Sequence, residues 1–148
     1  MLNSIEKKQV ANLKSLALSK LVKHGIDDSF VIKMKEPVNE KWIACYRAKS
    51  QFSGKPIFWL SKSLLDMPEE FVVSILHEYG HVIAEYAWVQ SPALQELIRS
   101  NWKGQFLMRP WDEEDFAEEF AQYLAGNFTY SKDALDAVIH QFTKEFES

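Results

Sequence analysis

Residues 67–89 read MPEEFVVSILHEYGHVIAEYAWV, and the rest of the chain is best read around this stretch. Phe71, Val72, Ile75, Leu76 and Ile83 recur at the three- and four-residue spacing of one helix face. Asp66 with Glu69 fits a capping box, and Pro68 is tolerated in a first turn, so a helix is predicted over 67–89. In its middle stand His77, Glu78, Tyr79, Gly80 and His81. Imidazoles at i and i+4 lie one above the other on a helix. Two neutral rings can then point at one tetrahedral Zn²⁺. Glu78 is rotated about 100° around the axis from His77 and reaches water beside such an ion, where a general base must sit.

On the N-terminal side, residues 3–24 read as an amphipathic helix. Ile5, Val10, Leu13, Leu16, Ala17 and Leu21 share one side, and Gly25 stops it. Three strand-like runs follow: Phe30, Ile32 and Met34 alternating with lysines, then 42–48 (WIACYRA), then the wholly apolar Ile57–Leu60. The last suits a strand buried on both faces. On the C-terminal side, Ser91-Pro92 starts a short helix to about Ser100, and 101–111 is irregular. Asp112 caps a helix ending at Gly126-Asn127, and Ser131 opens a last one striped by Leu135, Val138, Ile139, Phe142 and Phe146. A helix, three strands and four helices make an α+β fold.

The chain has 148 residues, 47% apolar and 26% charged, which reads as a single globular domain over 1–148. Five Trp and ten Phe give it too much apolar surface to stay disordered. A net charge of −4 argues against direct nucleic-acid binding. The longest run without Asp, Glu, Lys or Arg is 12 residues, Phe120 to Ser131, short of the ~20 that span a bilayer. At the start, Glu6, Lys7 and Lys8 interrupt any secretory apolar segment. Cys45 stands alone and forms no internal disulfide, so a reducing, cytoplasmic compartment is expected.

Two His do not close a metal site, and a third ligand is needed. Ala84 and Ala87 stand where the metzincin extension requires Gly and His, which excludes that class. The remaining histidines, His24 and His140, are candidates in the first and last helices. The carboxylates of 114–121 are better placed. Glu114, Ala117, Glu118 and Ala121 share one helix face, Phe116, Phe120 and Leu124 another. The alanines allow close approach to the His helix. Glu114 then reaches the metal, and Glu118, one turn on, accepts the second N–H of a ligand His. Glu113 and Glu118 are the alternative ligands, although Glu113 points away from the alanine seam. Six of the eight residues 112–119 are acidic, and most are expected to be solvated, since acids favour a helix's first turn anyway. Cys45 reads as a core residue of its strand. Tyr130, His140 and Arg109 are the candidates to stabilise an oxyanion. The aromatics Trp102, Phe106 and Trp111 read as sealing a core edge, with a substrate lid or nucleic-acid contact as the alternatives.

The motif His77-Glu78-Tyr79-Gly80-His81 followed by Glu114-x-x-Ala117-Glu118-x-Phe120-Ala121 resembles the gluzincin zinc metallopeptidases. The resemblance is nearest to the single-domain minigluzincins, with ImmA/IrrE-type peptidases and the cores of CAAX prenyl proteases as relatives. It extends to Phe58–Leu65 and covers about 56–126. It implies a minimal zincin: a small three-stranded sheet packed on the HExxH helix and a glutamate helix, flanked by N- and C-terminal helices. It further implies His77, His81 and Glu114 as zinc ligands, Glu78 as general base, and Glu118 as the acceptor orienting His77. Glu118 stands where the family usually has Asp or Asn. The expected activity is zinc-dependent endopeptidase on a peptide or protein substrate. The rival readings are a zinc-stapled, catalytically silent or autoinhibited binding module, and a repressor-cleaving peptidase of a mobile element or stress response.

Overall fold

The computed structural model describes residues 2–35, 44–47, 55–103 and 111–146, with the backbone alone at Lys35 and 44–47. Within them, five helices and a small sheet make a mixed, mostly helical architecture. Helix α1 spans Ser4–Lys23, β1 Val31–Lys35, β2 Ala44–Arg47 and β3 Ile57–Ser61. A short 3₁₀ turn, Lys62–Asp66, leads into α2, Pro68–Gln90. Helices α3 (Pro92–Asn101), α4 (Glu113–Leu124) and α5 (Lys132–Phe146) follow.

Strand β3 is the centre of the sheet, parallel to β1 on one side and antiparallel to β2 on the other. Phe58 and Leu60 of β3 are buried, whereas Ile57 and Trp59 are half-covered. The expectation of burial on both faces is therefore corrected: helices cover one face, and the apolar run alternates after all. Phe58 meets Phe30 with ring centroids 4.9 Å apart. Helix α2 is buried almost all round, from Phe71 through Ile75, Leu76 and Ile83 to Ala87, because α1, α3, α4 and the sheet all pack on it.

Three local expectations change. Asp66 lies inside the 3₁₀ turn, so Met67 takes the N-cap of α2 without a side-chain bond and Pro68 supplies the preset first turn. The capping box occurs instead at α1, where Asn3 and Glu6 exchange backbone bonds at 2.8 and 3.0 Å. Helix α1 buries Ala17 and Leu21 and rests Val10 and Leu13 against the core, while Ile5 and Leu16 of the expected stripe are exposed. Trp102 and Trp111 are buried against Phe116 and Trp88, which agrees with aromatics sealing a core edge. Phe106, Arg109 and the side chain of Cys45 lie outside the described residues. No helix among them is long and apolar enough to cross a membrane.

Candidate metal centre

Helix α4 packs along α2, and the contact is set by Gly80. A Cβ at that position would lie 2.8 Å from the Cα of Ala117 and 3.1 Å from its Cβ. The two backbones thus approach as closely as they do because both partners are small. Gly in a helix interior costs about 0.5–1 kcal/mol relative to Ala, and here it is offset by bringing the carboxylates of α4 over the histidines of α2. Helical spacing gives no sign of this role for Gly80, since the residue it accommodates lies 37 positions away.

The approach gathers His77, His81 and Glu114, whose ligating atoms all lie within 4.8 Å of one another. Among the described residues they are the one such group, and His24 and His140 are not part of it. His24 stacks on Tyr123 instead, and His140 and Tyr130 are exposed.

Each ring has a carboxylate behind it. Glu118 Oε2 lies 3.1 Å from His77 Nδ1, and Glu113 Oε2 lies 2.5 Å from His81 Nδ1. The position expected for Glu118 is therefore observed. Glu113 corrects the expectation that it points away from the seam: it holds the second histidine as Glu118 holds the first. Of the acidic run, Glu114, Asp115 and Glu118 are exposed and the other three are half-buried. Asp112 caps α4 through the N–H of Asp115, and Glu119 accepts from Trp102 Nε1 and, at 2.7 Å, from Ser131 Oγ. The carboxyl of exposed Asp115 is pushed up chiefly by neighbouring Asp112.

The protons of this cluster follow from simple chemistry. An ionised carboxylate only accepts, so Glu118 and Glu113 each require a proton on the Nδ1 they face. A neutral ring then has a bare lone pair on Nε2. The two Nε2 atoms lie 3.2 Å apart, and they face oxygens of Glu114 at 3.2 Å (His77) and 3.0 Å (His81). Three acceptor groups converge with no donor between them. A cation is what such a point attracts. One ligand atom from each of the three residues lies within 4.8 Å of the other two, near enough for one ion to be held among them. Two imidazoles, one carboxylate and a free fourth position fit a metal-ion site of the open kind.

Glu78 lies beside this triangle and is 5% exposed. Among the described residues it accepts no hydrogen bond. Burial pushes its carboxyl above the usual range, partly opposed by His81 and His77. It lines a cavity of about 220 Å³ together with Glu70, Val73, Ser74, His77, Glu118 and Gln122. A carboxyl whose charged form is disfavoured by burial, at the wall of a cleft with room for water, is suited to taking up a proton.

The arrangement is compatible with an HExxH metal site. No protein-family model matches the chain, and neither a curated protein nor a solved structure matches it. The reading of this centre rests on its own geometry.

Proposed function

We propose that the chain is a zinc-dependent endopeptidase of gluzincin type, with His77, His81 and Glu114 holding the ion and Glu78 as general base. The observation that carries this reading is the acceptor-only triangle directly beside a buried carboxyl that has no partner. Imidazole and carboxylate ligands without a thiolate suit zinc in a catalytic rather than a structural role.

When bound, zinc supplies Lewis-acid polarisation of a carbonyl and makes nearby water more acidic. The protein's own residues do the rest. Glu78 takes a proton from water in the cleft and returns it to the leaving amine. Glu118 and Glu113 hold the two imidazoles in the tautomer that leaves Nε2 free. Strand β2 lies at the side of β3 away from β1 and packs near α2. An extended substrate would pair with its backbone by strand addition. An extended peptide or protein segment is the substrate class this implies.

The test is digestion of a peptide library by wild type and Glu78→Gln, with zinc content measured in both. Cleavage by wild type alone, with zinc in both proteins, is expected. Zinc in both and cleavage in neither would overturn the peptidase reading in favour of a zinc-stapled binding module.

A further inference from the structure

Behind Glu118 the polar contacts continue in one direction. Its Oε2 faces His77, while its Oε1 accepts from Gln122 Nε2 at 3.0 Å. The Oε1 of Gln122 in turn accepts from Asn127 Nδ2 at 2.6 Å. Both amides have their orientation dictated by what they face. A carboxylate only accepts, so Gln122 must present its NH₂ to Glu118, and its carbonyl is then left for the NH₂ of Asn127.

Asn127 is brought into place by the end of α4. Gly126 adopts φ +93°, the left-handed region, so a side chain there is strained whatever the space around it. Its N–H bonds the carbonyl of Tyr123 at 3.1 Å, and the Asn127 N–H bonds that of Gln122 at 2.9 Å. That pair of bonds is a Schellman cap, which folds the chain back over the last turn. The fold-back sets the Asn127 side chain against that of Gln122, one turn below Glu118.

We propose that Gln122 and Asn127 are positioning residues of the metal centre. Through Glu118 they fix the Nδ1–H tautomer of His77 and keep its Nε2 lone pair turned toward the ion. The helix cap is thus a working part of the site. Glu118 side chains in solvent have many rotamers, and both oxygens must be held for one of them to stay on Nδ1. The Gln122 amide holds the second oxygen, and Asn127 keeps that amide from turning over. The proposal rests on His77 being a metal ligand only for its effect on affinity. Its effect on the tautomer is present without any metal.

The experiment uses the metal-free full chain at pH 8, reading the His77 tautomer from long-range ¹H–¹⁵N couplings, followed by zinc titration against a chelator. Wild type is expected to show His77 protonated on Nδ1. Gln122→Met, which keeps the length and helix preference but has no donor, should mix the two tautomers. Its zinc affinity should fall about three- to tenfold, below the 10–100-fold typical of a direct partner's loss. Gln122→Lys restores a donor to Glu118 and should restore the tautomer. Asn127→Ala leaves α4 intact and should shift the tautomer in the same direction by less. An unchanged tautomer in both Gln122→Met and Asn127→Ala would overturn the proposal, as would a shift that Gln122→Lys fails to reverse. If wild type takes up no zinc, the metal reading fails, and the tautomer series still decides this one.

Discussion

Helices α2 and α4 meet in two regions that treat their polar groups in opposite ways. Around Tyr79, every group is matched. The ring packs among Phe30, Phe120 and Phe142, and its hydroxyl donates to Asp28 at 2.9 Å. Burial and the adjacent Asp28 push that hydroxyl's ionisation far up, so it remains a donor. Two residues away on either side, His77 and His81 turn lone pairs toward each other and toward Glu114. A matched polar group stabilises the fold, whereas converging acceptors repel one another until a proton or a metal ion lies between them. The difference separates structure from function within one helix of 23 residues.

Breaking the unmatched side should cost function and leave the fold. The largest effect is expected for Glu78→Gln, which should lower peptidase activity about 10²–10⁴-fold, as removal of a general base does. Zinc uptake and melting temperature should stay near wild type, and a loss of zinc in this variant would make Glu78 a ligand instead. Gly80→Ala tests the seam common to both regions. Its new Cβ meets the backbone of Ala117, so α4 must shift, at about 1–3 kcal/mol of stability by overpacking. Because that shift also moves three carboxylates, zinc affinity should fall with stability. An unchanged affinity would show that the close approach does not position the site.

The paired acids sharpen the comparison further. Glu118→Ala and Glu113→Ala should each weaken zinc about 10–100-fold, the usual cost of losing the group behind a ligand histidine. Neither should lower the melting temperature of the metal-free protein by much. A Glu113→Ala variant with wild-type affinity would mean that its contact with His81 has no bearing on the metal. The smallest effect is on the matched side. Tyr79→Phe should cost about 1 kcal/mol, a typical buried hydrogen bond, with zinc affinity unaltered in a chelator competition. Weaker zinc binding in that variant would join two regions that are here held separate.

Much of this centre is legible in the sequence. His77, Glu78 and His81 follow from helical spacing, and Glu114 with Glu118 follows from the alanines that share their face. Glu113 does not, for a physical reason. A helical wheel records angles around one axis, and Glu113 lies about 100° from Glu114 on it. It carries no information on where the second helix crosses, and the first turn of α4 lies against His81. Gly80 is hidden for a related reason, since its partner Ala117 belongs to another helix. The cap of α2 is hidden because Asp66 has the right chemistry but is taken up by a 3₁₀ turn that the leucine pair Leu64-Leu65 gives no sign of. The exposed Ile5 and Leu16 show the limit of periodicity, which marks a face without saying how much of its length finds a neighbour.

The central claim is that His77, His81 and Glu114 form a cation site that is unmatched without its ion. Zinc titration of the metal-free protein, for wild type and Glu114→Ala, tests it most directly. Wild type should bind one zinc per chain. At a thousandfold excess over Kd it should gain about 4 kcal/mol, a rise of roughly 8–16 °C in Tm for a domain of this size. Glu114→Ala should lose most of that rise, while its metal-free Tm stays at or above the wild-type value, because an acceptor has been removed from an acceptor cluster. Equal zinc-induced shifts in the two proteins, or none in wild type, would contradict the account.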